Sequence, residues 1–259
     1  MPIDQSSRRE FLGVRFDLLS TEQVLARLSR VTDETPYAYI ATPNVDHLVR
    51  LHESQDSNRL LKPLYDAADL CLCDSKILHL VGKVRGVDLP VVPGSDLTAL
   101  VFDRIVRQGD RIAVVGGGSE LLAKLRSRYS RIDFVQHCPP MGLRTNAAAR
   151  RDAAHFIAQS GARFSFIAVG SPQQEMIAAE AKKIAGAKGL ALCIGASLEF
   201  LTGQTKRAPR LMQRLSLEWA HRLLSDPKRL WRRYLVEGPR IFVLALRWGH
   251  PERQRPAPE

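Results

Sequence analysis

The sequence predicts an α/β chain, a mostly parallel sheet with helices on both faces, followed by a basic helical appendage. Three observations predict it. Short apolar runs recur along the body of the chain, with amphipathic stretches of helical period between them. The runs are almost continuously apolar, as strands buried on both faces must be. The charge is segregated: residues 204–259 carry 13 Lys+Arg against 5 Asp+Glu, while residues 1–203 carry 25 against 22. With 45% hydrophobic and 25% charged residues in a chain of 259, the composition is that of a soluble globular protein able to bury one sizeable core. It excludes extended disorder outside the terminal PERQRPAPE.

From the N-terminus, Ser7-Arg8-Arg9-Glu10-Phe11-Leu12 resembles a twin-arginine export signal, but the charged VRFDLLSTEQ follows in place of an apolar segment. No export signal is expected, and no run approaches the about 20 residues that span a membrane. The predicted strands are YAYIAT (37–42), ADLCLC (68–73), RIAVVG (111–116), IDFVQHC (132–138), FSFIAVG (164–170) and LALCIG (190–195). Helices are expected over 45–67, 75–82, 95–109, 119–130, 146–161 and 173–186. The four cysteines, Cys71, Cys73, Cys138 and Cys193, all lie in strand-like runs and are expected as buried free thiols. No Cys or His pair completes a zinc pattern. The shift in charge divides the chain into a 1–203 α/β unit and a 204–259 appendage. In the appendage, Leu211, Leu215, Trp219 and Leu223 form an i, i+4 apolar ladder, with Arg210, Arg214, Glu218 and Arg222 one residue ahead. A second helix follows, with Asp226 suited to its N-cap and Pro227 to its first position.

In parallel sheets ligands bind at the carboxyl ends of strands, so candidates stand just after each run. Thr42 and Asn44 offer a hydroxyl and an amide there, or a turn and helix cap. Asp74 is placed as a general base at the rim of a cleft, or as the N-cap of the next helix. Gly116 and Gly117 open a glycine loop that can admit a phosphate, although Leu121 stands where a dinucleotide fingerprint needs its third glycine; a tight turn capped by Ser119 is the alternative. Ser171-Pro172-Gln173-Gln174-Glu175 spells a capping box, with Ser171 as N-cap, Pro172 at the first helical position and Gln174 reaching back. No D-x-D pair, metal-spaced His/Glu cluster, G-x-S-x-G elbow or P-loop is present.

Seven strings taken in order (ATPNVDHLVRL, LCDSKIL, VPGSDLT, IAVVGGGSELLAKL, FIAVGSPQQE, CIGASLEFLTGQTKRAPR and LSLEWAHRLLSDPKRLWRRYL) resemble the WecG/TagA/CpsF glycosyltransferases, glycosyltransferase family 26. The resemblance implies a Rossmann-like fold and an inverting enzyme without cofactor or metal. It would move a sugar from a UDP-sugar to a polyprenyl-diphosphate-linked saccharide during assembly of bacterial surface or exopolysaccharide. It implies Asp74 as base, and Thr42, Asn44, Gln174 and Glu175 in the substrate pocket. Arg207, Arg222, Arg229 and Arg232 are implied to engage the diphosphate from a closing tail. The donor types in the family include N-acetylmannosamine, its uronic acid and glucose. Here Cys73-Asp74-Ser75 replaces the usual P-D-G, Gln173 replaces a Lys, Val91 and Val92 replace Glu-Arg, and Glu199 replaces a common Asp.

The basic tail, interleaved with Trp219, Trp231, Tyr234, Phe242 and Trp248, suits an anionic membrane surface. The expectation is therefore a cytoplasmic protein, peripheral on the inner face of the plasma membrane, with no nucleic-acid partner and with homo-oligomerisation open. The competing classes are a Rossmann-like nucleotide-binding oxidoreductase and a non-enzymatic polyanion binder.

Overall fold

The computed structural model describes residues 7–205, 208, 209, 212 and 217–249, the side chain of Arg229 excepted. Six strands form one sheet: β3 (Ala38–Ala41), β4 (Leu70–Cys71), β5 (Arg111–Gly116), β6 (Asp133–His137), β7 (Phe164–Ala168) and β8 (Leu190–Cys193). Their order is β4-β3-β8-β7-β5-β6, and every pairing is parallel. These are the six runs read from the sequence, shortened where turn residues take over. β4 contracts most, to Leu70 and Cys71, and continues only as an isolated bridge from Cys73 to Val91.

Side chains alternate between two cores, which explains the continuous apolar runs. Ala38 and Ile40 of β3 enter one core, and Tyr39 and Ala41 the other. The first core is covered by α1 (Thr21–Leu28), α5 (Gly94–Arg104), α6 (Ser119–Arg128) and α9 (Ser197–Leu201). The second is covered by α2 (Val45–Leu51), α3 (Gln55–Asp66), α4 (Lys76–Val84), α7 (Ala147–Gln159) and α8 (Gln173–Ala181).

A hairpin that the sequence reading did not anticipate precedes this sheet: β1 (Arg8–Phe11) pairs antiparallel with β2 (Val14–Asp17). Its turn residues, Leu12 (φ 50°) and Gly13 (φ 76°), both lie in the left-handed region, as a two-residue hairpin turn requires. The Asp17 carboxylate accepts from the Cys71 backbone N–H at 2.7 Å and from Arg8 Nε at 3.1 Å. The hairpin thus covers the sheet edge at β4. Cys71, Cys73 and Cys193 are buried free thiols as expected, but Cys138 is exposed, because it lies past the end of the opposite edge strand, β6.

The C-terminal part contains α10 (Glu218–Ser225), α11 (Pro227–Trp231), a π-helical turn (Arg232–Glu237) and α12 (Arg240–Arg247). Pro227 does open a helix, with the Asp226 carbonyl accepting from Leu230 N–H at 3.1 Å. Of the expected apolar ladder, Trp219 and Leu223 are half-buried; Leu211, Leu215, Arg210 and Arg214 lie outside the described residues. In α12, Ile241 and Ala245 are buried in the core beside α2 and α4, and the Trp248 ring meets Phe11 of β1 edge-on at 5.0 Å. Among the described residues no helix is long and apolar enough to cross a membrane.

Candidate active site

β3 and β8 are neighbours, yet the chain leaves β3 into α2 on one face and β8 into α9 on the other. Their carboxyl ends therefore open a crevice, the usual ligand position in such a sheet. Two cavities, of about 470 Å³ and about 500 Å³, meet there. The first runs beneath the C-terminal helices, past Trp219, Tyr234, Ile241 and Phe242. The second follows the strand ends, past Thr42, Gly170, Gln174 and Gly195. Asn44, Asp46, Asp74, Glu218, Arg222, Arg233 and Tyr234 line both.

Asp74 follows β4 but does not cap the next helix. Ser75 is the N-cap of α4, its hydroxyl accepting from Leu78 N–H at 3.2 Å, which overturns the alternative of Asp74 as cap. The carboxyl instead accepts the backbone N–H of Gly94, the first residue of α5. Burial pushes its pKa up to about 7; Arg222 and the Gly94 N–H pull against that shift, while Glu218 and Asp96 add to it. A methyl group on Gly94 would stand 3.0 Å from Thr42 Oγ1 and 3.8 Å from Asp74 Oδ2. Hydroxyl and carboxylate thus converge over a residue where even a methyl group would be a tight fit.

At the end of β3, the Thr42 hydroxyl donates to Cys193 O at 3.2 Å across the crevice. Asn44 is the N-cap of α2 in a reciprocal cap: its Oδ1 accepts from Asp46 N–H at 3.1 Å, and its own N–H donates to His47 Nδ1 at 3.4 Å. Asn44 is thus a helix cap, and it also lines both cavities. His47, absent from the sequence-based candidates, is buried and faces the second cavity. Burial lowers its pKa to about 3; Asp46 opposes that shift, and Arg50 and Arg233 add to it, so the ring is neutral. Asp46 ties the body to the tail: it pairs with Arg50 one turn on, and with Arg233 at 3.2 Å.

The capping box at Ser171 does not form. α8 begins at Gln173 with Pro172 as its N-cap and no side-chain cap. Gln174 and Glu175 point instead into the protein, where buried polar atoms must find partners. Gln174 Nε2 donates to Glu175 Oε1 at 2.8 Å, and Gln174 Oε1 accepts from Gly195 N–H at 2.8 Å. Burial raises the pKa of the fully buried Glu175, against Gln174, its own backbone N–H, Ser171 and Arg50. Gln174 lines the second cavity while both ends of its amide hold protein, so it braces the turn after β8.

The other candidates separate. Arg222 lines both cavities, its guanidinium 5.3 Å from the Phe200 ring. Arg232 is 74% exposed and pairs with Glu237 at 3.1 Å, outside both cavities; its neighbour Arg233 faces inward, because the π-helical turn rotates it towards Asp46. Arg207 and the side chain of Arg229 lie outside the described residues. Gly116 and Gly117 line neither cavity. Their shared reason is steric: a Cβ on Gly116 (φ +93°) would lie 2.7 Å from Val169 Cγ1, and one on Gly117 (φ +70°) 2.2 Å from Leu121 Cδ2. The helix after them starts from Gly118 without a side-chain cap, so Ser119 does not serve as one. Among the described residues no group of three His, Cys, Asp or Glu is arranged to hold a metal ion.

The site therefore has a carboxyl poised near neutrality, hydroxyl and amide groups around it, and arginines from both body and tail. A family model described as Glycosyl transferase WecG/TagA/CpsF family matches residues 9–255, which takes in the crevice and the helices that roof it. The chain belongs to the WecG/TagA/CpsF family of glycosyltransferases.

Proposed function

We propose that this glycosyltransferase moves a sugar from a UDP-sugar to a polyprenyl-diphosphate-linked saccharide with inversion, Asp74 acting as the general base. The observation that carries the reading is the position of Asp74 at the junction of two cavities, with a pKa of about 7. A base of that strength takes a proton at neutral pH and can also release it. In the proposed step the acceptor hydroxyl gives its proton to Asp74. Its oxygen forms the new bond at the anomeric carbon, and the bond to the diphosphate oxygen breaks on the opposite face, releasing UDP. Inversion follows from one displacement with one base. Arg222 and Arg233 are the charges assigned to the departing diphosphate, which makes the transfer independent of a metal. Thr42 and Asn44 are assigned to the sugar. Gln174 and Glu175 support the pocket from behind.

The acceptor's lipid is assigned to the first cavity, whose apolar lining continues into exposed Leu235 and Phe242, with Trp231, Val236, Val243 and Leu246 also exposed on the same helices. With Lys228, Arg240 and Arg247 beside them, these side chains fit an anionic bilayer surface. On this reading the enzyme is peripheral on the cytoplasmic face of the plasma membrane. The reading is tested with purified protein, a panel of UDP-sugars and a lipid-diphosphate-linked sugar acceptor, with and without chelator. Transfer in the presence of chelator, with an inverted product, is expected. Absence of transfer and of UDP binding would refute it.

A further inference from the structure

The reciprocal cap of α2 leaves two side-chain donors of fixed identity facing the crevice. Because Asn44 Oδ1 is occupied by Asp46 N–H, the amide presents its NH₂ to the cavities. Because His47 Nδ1 accepts from the Asn44 N–H, the ring proton is on Nε2. Among the described residues Nε2 makes no hydrogen bond and is not wholly buried, and His47 lines the second cavity. A helix cap therefore doubles as an orienting device.

We propose that His47 is a specificity-determining residue whose Nε2–H donates to an oxygen of the sugar being transferred. This rests on the UDP-sugar reading above. The division of labour follows from chemistry. A neutral donor suits a hydroxyl or carbonyl oxygen, whereas a diphosphate recruits the guanidinium groups of Arg222 and Arg233. Position agrees: His47 stands one helical turn beyond Asn44, which shares both cavities with Asp74, so it borders the reacting end of the crevice. Burial, with Arg50 and Arg233 adding to it and Asp46 opposing, holds the ring neutral, so it donates a hydrogen bond without serving as an acid.

The test compares His47→Phe, which removes the Nε2 donor together with the Nδ1 acceptor of the Asn44 N–H, with His47→Gln, whose amide can supply both. His47→Glu, which keeps an acceptor for the cap but has no donor when ionised, separates the two. It is expected to match the KM of His47→Phe, whereas a wild-type KM in His47→Glu assigns the residue to the cap and overturns the proposal. The substrate is whichever UDP-sugar the wild-type enzyme turns over fastest. In His47→Phe the KM for that UDP-sugar is expected to rise about ten-fold or more, the loss of one buried donor, with UDP affinity by calorimetry unchanged. His47→Gln is expected to restore KM to within about three-fold of wild type. An unchanged KM in His47→Phe overturns the proposal, as does a parallel fall in UDP affinity, which would assign the residue to the nucleotide or to the fold. Should the Phe variant not fold, His47→Met replaces it against His47→Gln, two chains of similar volume, and equal KM values overturn the proposal. A wild-type protein that neither binds UDP nor transfers sugar refutes the UDP-sugar reading itself, an outcome distinct from normal turnover with an indifferent His47.

Discussion

Replacing Asp74 by Asn tests structure and chemistry in one variant. The change keeps shape and an acceptor oxygen for the Gly94 N–H but removes the ability to ionise. In the folded protein the carboxyl titrates at about 7 instead of 3.8. The folded state therefore holds a proton that the unfolded chain has released between those values, and stability falls as pH rises through that window. Carrying the ionised group costs up to about 4 kcal/mol above pH 7. At pH 5 the unfolded carboxyl has already ionised while the folded one has not, so about 1.6 kcal/mol of that cost is present and Asp74→Asn should melt only a little higher than wild type. At pH 8 Asp74→Asn should melt several degrees higher, since each kcal/mol moves Tm by about 2–4 °C in a chain of this size. The same variant should lose about 10²–10⁴ in kcat, while wild-type kcat/KM rises with pH about a midpoint near 7. Thermal melts at the two pH values and a pH–rate profile read all of this. Wild-type turnover in Asp74→Asn, or an identical Tm difference at pH 5 and pH 8, would refute the reasoning.

Other perturbations reach the neighbouring groups. Arg233→Ala removes the cation shared with Asp46; kcat/KM should drop roughly ten- to hundred-fold, while stability shifts by no more than about 1 kcal/mol, because the pair is part-exposed. Steady-state kinetics and chemical denaturation separate the two effects. Gly94→Ala places a methyl 3.0 Å from Thr42 Oγ1, and about a ten-fold or greater loss of kcat is expected with the fold retained by circular dichroism. Glu175→Gln should cost less than about 1 kcal/mol in urea denaturation and Glu175→Ala about 1–3 kcal/mol, since Ala leaves the Gln174 Nε2 donor without its partner. Phe242→Ser with Leu246→Ser, both exposed, should weaken sedimentation with anionic vesicles by about ten-fold or more and leave the melting temperature within about 2 °C.

What could be read from the sequence depended on whether local pattern and tertiary demand agreed. The six strands were legible because burial on both faces leaves an uninterrupted apolar signature. The hairpin at Arg8–Asp17 was not, because exposed Arg9 and Arg15 interrupt the apolar positions and Leu12, rather than Asn or Gly, takes the first left-handed turn position. Its signal was Phe11, Val14 and Phe16 spaced around Gly13. Ser171–Glu175 had the residues of a capping box, but Gly195 N–H offered Gln174 a partner from a distant strand end, which no local rule contains. Asp74 had two local readings, and Ser75 next to it removed one of them by taking the cap. Arg233 stayed hidden behind Arg232 because a π-helical turn, not an α-helical one, sets which of the two faces inward. His47 read as one more residue on a helix; only the pairing of its Nδ1 with the cap revealed its orientation.

The contact of Trp248 with Phe11 brings the far end of the chain onto its first strand, and Arg85 reinforces it by donating to the Trp248 carbonyl at 2.6 Å. The roof over the crevice is consequently hung like a flap stitched at its outer hem. Its last helix is anchored by buried Ile241 and Ala245, whereas the span from Glu218 to Glu237 meets the reaction end through charges such as Arg233 on Asp46. A ligand that competed for those charges would act on the inner margin, while packing at Trp248, Ile241 and Ala245 would keep the outer one fastened.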